Sequence, residues 1–285
     1  MSLVIHDPRE LRELCRGWAR TGATLGLVPT MGNLHAGHVS LMRRASAQCD
    51  QVVVSIFVNP KQFGPREDYA AYPRTLEADQ AICDKNGAGV VFAPSADDMY
   101  PEGFATTVSV AGLTEGLCGA SRPGHFDGVA TVCARLHGLV LPTRAYYGEK
   151  DWQQLQVVRR MNEDLGFGAT VVGVPTVRED DGLALSSRNQ YLGAEEREAA
   201  LCLWTGLQAA VELAKAGPGP AERFEEAVAD VIAGEPLAEL EYVSLVDPTS
   251  LVPMARLDET GRLLVAARVG PARLIDNIAL VPGGE

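Results

Sequence analysis

The sequence predicts an α/β fold: a doubly wound parallel sheet followed by a second, smaller α+β C-terminal domain. Three observations carry this. Short Val- and Ile-rich runs alternate with longer helical patterns through the first 174 residues, as in a parallel sheet covered on both faces. The loops richest in chemical side chains each follow one of those runs, where such a sheet binds its ligand. Beyond residue 177 the order changes to helices and then consecutive strands, an α+β arrangement.

Taken in order, residues 24–28, 51–58, 89–93, 144–147 and 170–174 are short, apolar and β-branched, and read as strands. Residues 38–49, 72–86, 128–139 and 152–165 lie between them with helical spacing. The result is a Rossmann-like domain over 1–176. A polar stretch at 178–192, REDDGLALSSRNQYL, interrupts the pattern. Helices at 194–216 and 221–233 follow, separated by PGP, and 241–246, 261–269 and 273–280 read as strands of a small sheet. Residues 177–285 are thus expected to form the smaller domain, closing over the ligand site of the first.

Of 285 residues, 46% are hydrophobic and 22% charged, enough for a sizeable core. The net charge of −12 is uneven, −2 through Val174 and −10 from Pro175 onward. An acidic C-terminal part repels nucleic acid, which weighs against a tRNA-charging role, and the acidity otherwise serves solubility. Cys15, Cys49, Cys83, Cys118, Cys133 and Cys202 form no CxxC pair, against a zinc ribbon or redox motif and in keeping with reduced thiols. No apolar run approaches about 20 residues, and MSLVIHDPRE lacks a basic region leading into an apolar one. A cytoplasmic protein with no membrane partner is expected.

The most informative loop is PTMGNLHAGHVS at 29–40, a glycine-rich turn between a strand and a helix. Free backbone N–H groups at a helix start make an anion site, and His35 and His38 add two donors aimed at the same phosphate. This is the HxGH arrangement of nucleotide-activating enzymes. A zinc site there lacks a third ligand of suitable spacing.

Other clusters are more ambiguous. In NPKQFG at 59–64, Gln62 can both donate to and accept from a neutral hydroxyl substrate, although Asn59 and Gln62 serve equally well to stabilise a turn. In GEKDWQQL, Lys150 offers phosphate a point charge and Gln154 lies one helical turn later. Asp151 suits ribose hydroxyls, or simply a helix N-cap. LSSRN places two hydroxyls beside Arg188, whose fork chelates phosphate, after a glycine-containing loop that closes on nucleotide. The alternative is that Ser186 or Ser187 caps a turn. His125 of RPGHFDG either faces a site or packs its ring, and His6 and His137 read as structural.

With PTMGNLHAGH, FVNPKQFG, DYAAYPRT, RPGHFDGVATV, GEKDWQQL, VGVPTVR and DGLALSSRNQYL in this order, the chain resembles the pantothenate synthetase (pantoate–β-alanine ligase) family. The resemblance runs from Pro29 to Leu192. It implies ATP-dependent condensation of (R)-pantoate with β-alanine through a pantoyl-adenylate, giving pantothenate, AMP and pyrophosphate, with Mg²⁺ and in a homodimer. The implied ATP site is Met31, Gly32, Asn33, Leu34, His35, Ala36, Gly37, His38, Gly148, Glu149, Lys150, Asp151, Val177, Leu185, Ser186, Ser187 and Arg188. Within it, His38 is the expected proton donor and His35 its partner at the phosphates. Gly148 and Asp151 would meet the ribose and Val177 the adenine side. Lys150 and Arg188 complete the catalytic set at the triphosphate with Ser186 and Ser187. Gln62 and Gln154 would hold pantoate, with β-alanine also near Gln62. No metal ligands are implied.

Two departures accompany the resemblance. Cys118 stands where some members carry Glu, leaving Arg122 without a carboxylate partner in its own segment. Trp152 replaces a Tyr or Phe, which reads as a packing change. The competing functions are a nucleotidyltransferase of the same HxGH superfamily acting on a phosphorylated small molecule, and a non-catalytic nucleotide sensor. Paired glutamines in place of extra Arg or Lys favour the ligase.

Overall fold

A computed structural model describes residues 1–65 and 67–284. The chain divides into two compact units, Met1–Glu149 with Gln154–Pro175, and Lys150–Gln153 with Thr176–Glu285. The four residues Lys150–Gln153, expected with the first domain, group with the second.

The first unit opens with β1 (Leu3–Ile5) and α1 (Pro8–Arg20), neither of which the sequence pattern revealed. Three residues carry too little periodicity to mark a strand. β2 (Leu25–Thr30), α2 (Ala36–Ser46), β3 (Gln51–Ile56), α3 (Leu76–Lys85) and β4 (Val90–Phe92) follow. Next come the short helices α4 (Ala96–Met99) and α5 (Cys118–Ser121), then α6 (His125–Val140) and β5 (Arg144–Gly148). α7 (Trp152–Asp164), whose first residues group with the second unit, and β6 (Thr170–Val174) complete this half.

All six strands are parallel, in the order β1-β4-β3-β2-β5-β6. β2 and β3 are nearly solid apolar runs, with Leu27, Val28, Val53 and Val54 fully buried, as a sheet covered on both faces requires. The order reverses between β2 and β5. That switch point opens a crevice beyond the strand ends. The loops after β2, β3 and β5 all start at that end of the sheet.

The second unit contains α8 (Ala194–Ala199), α9 (Leu201–Lys215), β7 (Gly219–Pro220) and α10 (Ala221–Ala233). The helix expected over 194–216 breaks at Ala200, where the chain starts α9 afresh. β8 (Ala238–Val246), β9 (Arg256–Leu257), β10 (Gly261–Val269) and β11 (Ala272–Leu280) follow. β11, β10 and β8 form an antiparallel sheet in that order, and β7 pairs with β9. Phe224, Val228 and Ile232 of α10 and Leu203 and Leu207 of α9 bury against Leu263, Val265 and Ala267 of β10. Rossmann-like sheet and α+β unit are both as the sequence predicts. Among the described residues, no helix is long and apolar enough to cross a membrane.

Candidate active site

The loop leaving β2 is built around its backbone. Thr30 Oγ donates to Ser55 O at 2.7 Å and accepts from Gly32 N at 3.2 Å, turning the chain out of the sheet. Gly32 and Asn33 then take positive φ, 84° and 51°, a region that Gly and Asn enter more readily than other residues. The buried carboxylate of Asp79 closes the loop, accepting from Asn33 N at 3.0 Å and Leu34 N at 2.8 Å. Sequence reasoning missed Asp79, because an acidic residue in the first turn of a helix is ordinary helix chemistry.

His35 and His38 do come together, with ring centres 4.2 Å apart. His35 is the N-cap of α2: its Nδ1 accepts from Gly37 N at 3.2 Å, and His38 Nδ1 accepts from His35 N at 3.2 Å. These bonds assign the proton of each neutral ring to Nε2, which leaves Nε2 as the donor atom of both imidazoles. A Cβ on Gly37 would lie 2.9 Å from His35 Cε1, so the cap requires glycine there. Met31 to His38 thus form one braced segment whose two imidazole donors sit at a helix start, a ready anion site.

The loop after β3 brings Gln62 to the same place, with its Nε2 3.2 Å from Met31 Sδ. Asn59, almost wholly buried, donates Nδ2 to Gln62 Oε1 and to Gly128 O, each at 3.1 Å. Tyr100 Oη donates to Asn59 Oδ1 at 2.7 Å. A Cβ on Gly128 would stand 2.2 Å from Lys61 O, so the glycine of RPGHFDG seats this loop on α6. Gln154 lies half-buried in the first turn of α7.

Arg122 has a carboxylate after all. Glu67 supplies it from the loop after β3, and Nε and Nη2 both bond it at 2.7 Å. Burial raises the Glu67 carboxyl, but the paired guanidinium outweighs it and holds the group down at about 2. His125 joins this network, with Nε2 3.0 Å from Arg122 Nη1 and Nδ1 2.8 Å from Gln62 O. The ring therefore braces the backbone of the Gln62 loop. His137 is structural, fully buried between Asn162 Oδ1 and Tyr147 Oη, and burial lowers its pKa to about 4.

Gly148 ends β5 with open space where a Cβ would stand, and Glu149 begins the following turn against Gly173. Lys150 and Asp151 complete that turn, both half-buried and grouped with the second unit. Trp152 does more than fill space: its Nε1 donates to Pro248 O at 2.8 Å, which neither Tyr nor Phe reproduces with a ring N–H.

Elsewhere in the second unit, residues 178–185 form a bonded turn. Arg178 pairs with Ala184, Leu185 N returns to Val177 O at 3.0 Å, and Arg197 binds both Glu179 and Asp181. Leu185 to Arg188 leave this turn half-buried. Ser186 caps the next turn, accepting from Arg188 N at 3.2 Å, which leaves its hydroxyl proton to donate.

The family model for pantoate–β-alanine ligase matches residues 3–279. The chain belongs to the pantoate–β-alanine ligase family. It is 52% identical to the pantothenate synthetase of Heliobacterium modesticaldum, over 97% of this chain and 99% of that one. With the enzyme of that name from Dinoroseobacter shibae the identity is 51%, over 98% and 100%. A pantothenate synthetase crystal structure from Thermus thermophilus superposes with a TM-score of 0.93 at 49% identity, covering 98% and 100%. A ligase of this family from Francisella tularensis, solved with β-γ ATP and β-alanine, gives 0.82 at 30% identity, covering 100% and 99%. This family resemblance therefore extends past Leu192 into the acidic C-terminal unit.

Proposed function

We infer that this chain is an ATP-dependent ligase joining pantoate to β-alanine. Full-length similarity to the family supports the overall reaction. The braced His35–His38 pair, on the same loop as the Met31 that Gln62 meets, is the observation that supports this chemistry at this site. In the proposed course, a carboxylate oxygen of pantoate attacks the α-phosphorus of ATP and pyrophosphate leaves. The neutral amine of β-alanine then attacks the acyl carbon of the pantoyl-adenylate. AMP departs with the bonding pair, and the amine loses a proton to give pantothenate.

Each residue set has a part in this course. The Nε2–H groups of His35 and His38 meet charge growing on the phosphates, the kind of stabilisation that contributes most to such reactions. Met31 to Leu34 and Gly148 admit the nucleotide close to the backbone, with Glu149 and Asp151 toward the ribose and Val177 toward the adenine. Lys150, Ser186, Ser187 and Arg188 hold the triphosphate. Gln62 and Gln154 hold pantoate and so convert an encounter into an oriented step.

Magnesium enters this proposal as the nucleotide's counter-ion. Among the described residues, no group of three or more His, Cys, Asp or Glu side chains is placed to hold a metal. Magnesium would be held chiefly by the nucleotide's phosphate oxygens and water, as is usual for that ion, and would offset charge on the triphosphate. The reading also carries a cytoplasmic location and a homodimer, and sedimentation of the purified chain tests the homodimer.

The deciding experiment measures AMP formation from ATP with each substrate omitted in turn. Multiple-turnover AMP release requiring both pantoate and β-alanine is expected. Nucleotidyl transfer to a phosphorylated acceptor, or ATP binding without turnover, would refute the ligase.

A further inference from the structure

β11 carries two buried polar residues in succession, Asp276 and Asn277. Burying such groups costs free energy unless each is bonded, and both are. Alternation along a strand sends them to opposite faces. On the Asp276 face, Leu274 and Leu280 join the core with α9. There Asp276 accepts from Arg178 Nη1 at 2.6 Å and Nη2 at 2.9 Å, and the guanidinium stacks 3.7 Å from the ring centre of Trp204. Arg178 opens the turn that leads to Ser186–Arg188, and also donates to Gly182 O at 3.0 Å. Gly182 lies so close to Trp204 that a Cβ would stand 2.0 Å from the indole.

On the other face, Asn277 accepts from Arg262 Nε at 2.6 Å and donates Nδ2 to Lys150 O at 2.8 Å. Arg262 sits diagonally across the β10–β11 register, since it pairs with Ala279 while Asn277 pairs with Leu264. Its guanidinium lies 3.8 Å from the ring centre of Trp152, the ring tied to Pro248 O. Lys150 is thereby fixed through its own carbonyl and through the residue two places on.

We propose that Asp276 and Asn277 are positioning residues for the nucleotide, one strand holding Lys150 from one face and the Ser186–Arg188 turn from the other. Neither needs to touch ATP. The pair sets the spacing between two phosphate-binding segments that are far apart in sequence, which preorganises them and reduces the ordering cost of binding. This rests on the assignment of Lys150 and Arg188 to the triphosphate.

A double-mutant cycle separates the two ideas. Lys150→Ala tests the assignment, and Asn277→Ala is then measured in wild type and in the Lys150→Ala background. Asn277→Ala is expected to raise the KM for ATP about tenfold or more, the order of loss that a small misplacement produces. The KM values for pantoate and β-alanine should stay within about twofold, as no positioning of those substrates is lost. In the Lys150→Ala background Asn277→Ala should add almost nothing. Asp276→Asn with Arg188→Ala repeats the cycle on the other face. Should Asn277→Ala fail to fold, Arg262→Lys, which removes the Nε donor and the planar stack, takes its place. Unchanged ATP kinetics in Lys150→Ala overturn the assignment and the proposal with it. A damaged Lys150→Ala with a normal Asn277→Ala, with fully additive losses, or with equal loss for all three substrates, overturns the proposal alone.

Discussion

The amide of Gln62 takes its orientation from Asn59. Asn59 Nδ2 donates to Gln62 Oε1 at 3.1 Å, which turns Gln62 Nε2 toward Met31. Tyr100 Oη and the carbonyl of Gly128 fix Asn59 in turn. Asn59→Asp would set a carboxylate against two acceptors, and leaving a buried acceptor unsatisfied costs about 1–3 kcal/mol. Gln62 should flip. The KM for pantoate is expected to rise about tenfold, with the KM for ATP little changed, since a cost near 1.4 kcal/mol is tenfold. Steady-state kinetics check this, and equal changes in both constants would assign Asn59 to the fold alone.

The cap geometry gives His38 a specific prediction. Its Nδ1 accepts from His35 N, so only Nε2 can serve the phosphates. His38→Gln retains an amide donor, whereas His38→Ala retains none. His38→Ala should lose roughly 10²–10³ in kcat, as removal of an oxyanion-type donor does, with His38→Gln between it and wild type. Near wild-type turnover in His38→Ala would remove the ring from the mechanism.

ATP should alter hydrogen exchange over only part of 178–192. Residues 178–185 are already tied by the Arg178–Ala184 pairing, Leu185 N to Val177 O, and Arg197 to Glu179. ATP-dependent protection is expected at 186–191, the single 3₁₀ turn that carries Ser186, Ser187 and Arg188, because exchange reports local opening. Protection spread evenly from 178 onward would show that the whole stretch is mobile without nucleotide.

His137 makes stability depend on pH. Burial lowers its folded pKa to about 4 from 6.5, so between those values the unfolded chain binds more protons. Stability is therefore fully present above 6.5 and lost as pH falls toward 4, by roughly 3 kcal/mol at 1.36 kcal/mol per unit. His137→Gln should flatten that part of the profile. An unchanged slope of the urea midpoint between pH 6.5 and 4 would show that other groups carry it.

How much the sequence discloses depends on the range over which each signal acts. β6 and α10 are legible to the residue because apolar spacing is local. So is the His35–Gly37–His38 turn, where strand, glycines and helix start adjoin. Asp79 is not, since its partners Asn33 and Leu34 lie more than forty positions away and receive their bonds through backbone N–H groups. Glu67 is hidden for a related reason: residues 117–122 hold no carboxylate, and the one that Arg122 meets arrives from another loop. The break at Ala200 left no Pro or Gly to announce it. Trp152 looked like packing because an indole N–H has no visible partner until Pro248 is placed beside it.

The order of the two chemical steps yields the last prediction. Two Nε2–H donors at a helix start suit growing charge on a phosphate, and Gln62, against Met31 of the same loop, suits an unphosphorylated acid. Neither feature requires an amine to be present. The first half-reaction should therefore run with ATP, magnesium and pantoate alone, and labelled pyrophosphate should exchange into ATP as bound pantoyl-adenylate reverses. Lys150→Ala should suppress that exchange, because it removes a charge-assisted contact to the triphosphate, worth about twice a neutral hydrogen bond. Added β-alanine should then draw the stored adenylate to pantothenate and AMP in a single-turnover burst. Exchange that appears only when β-alanine is also present would mean that the amine is needed before phosphorus chemistry begins, and the two-step course would fail even though the overall ligation stands.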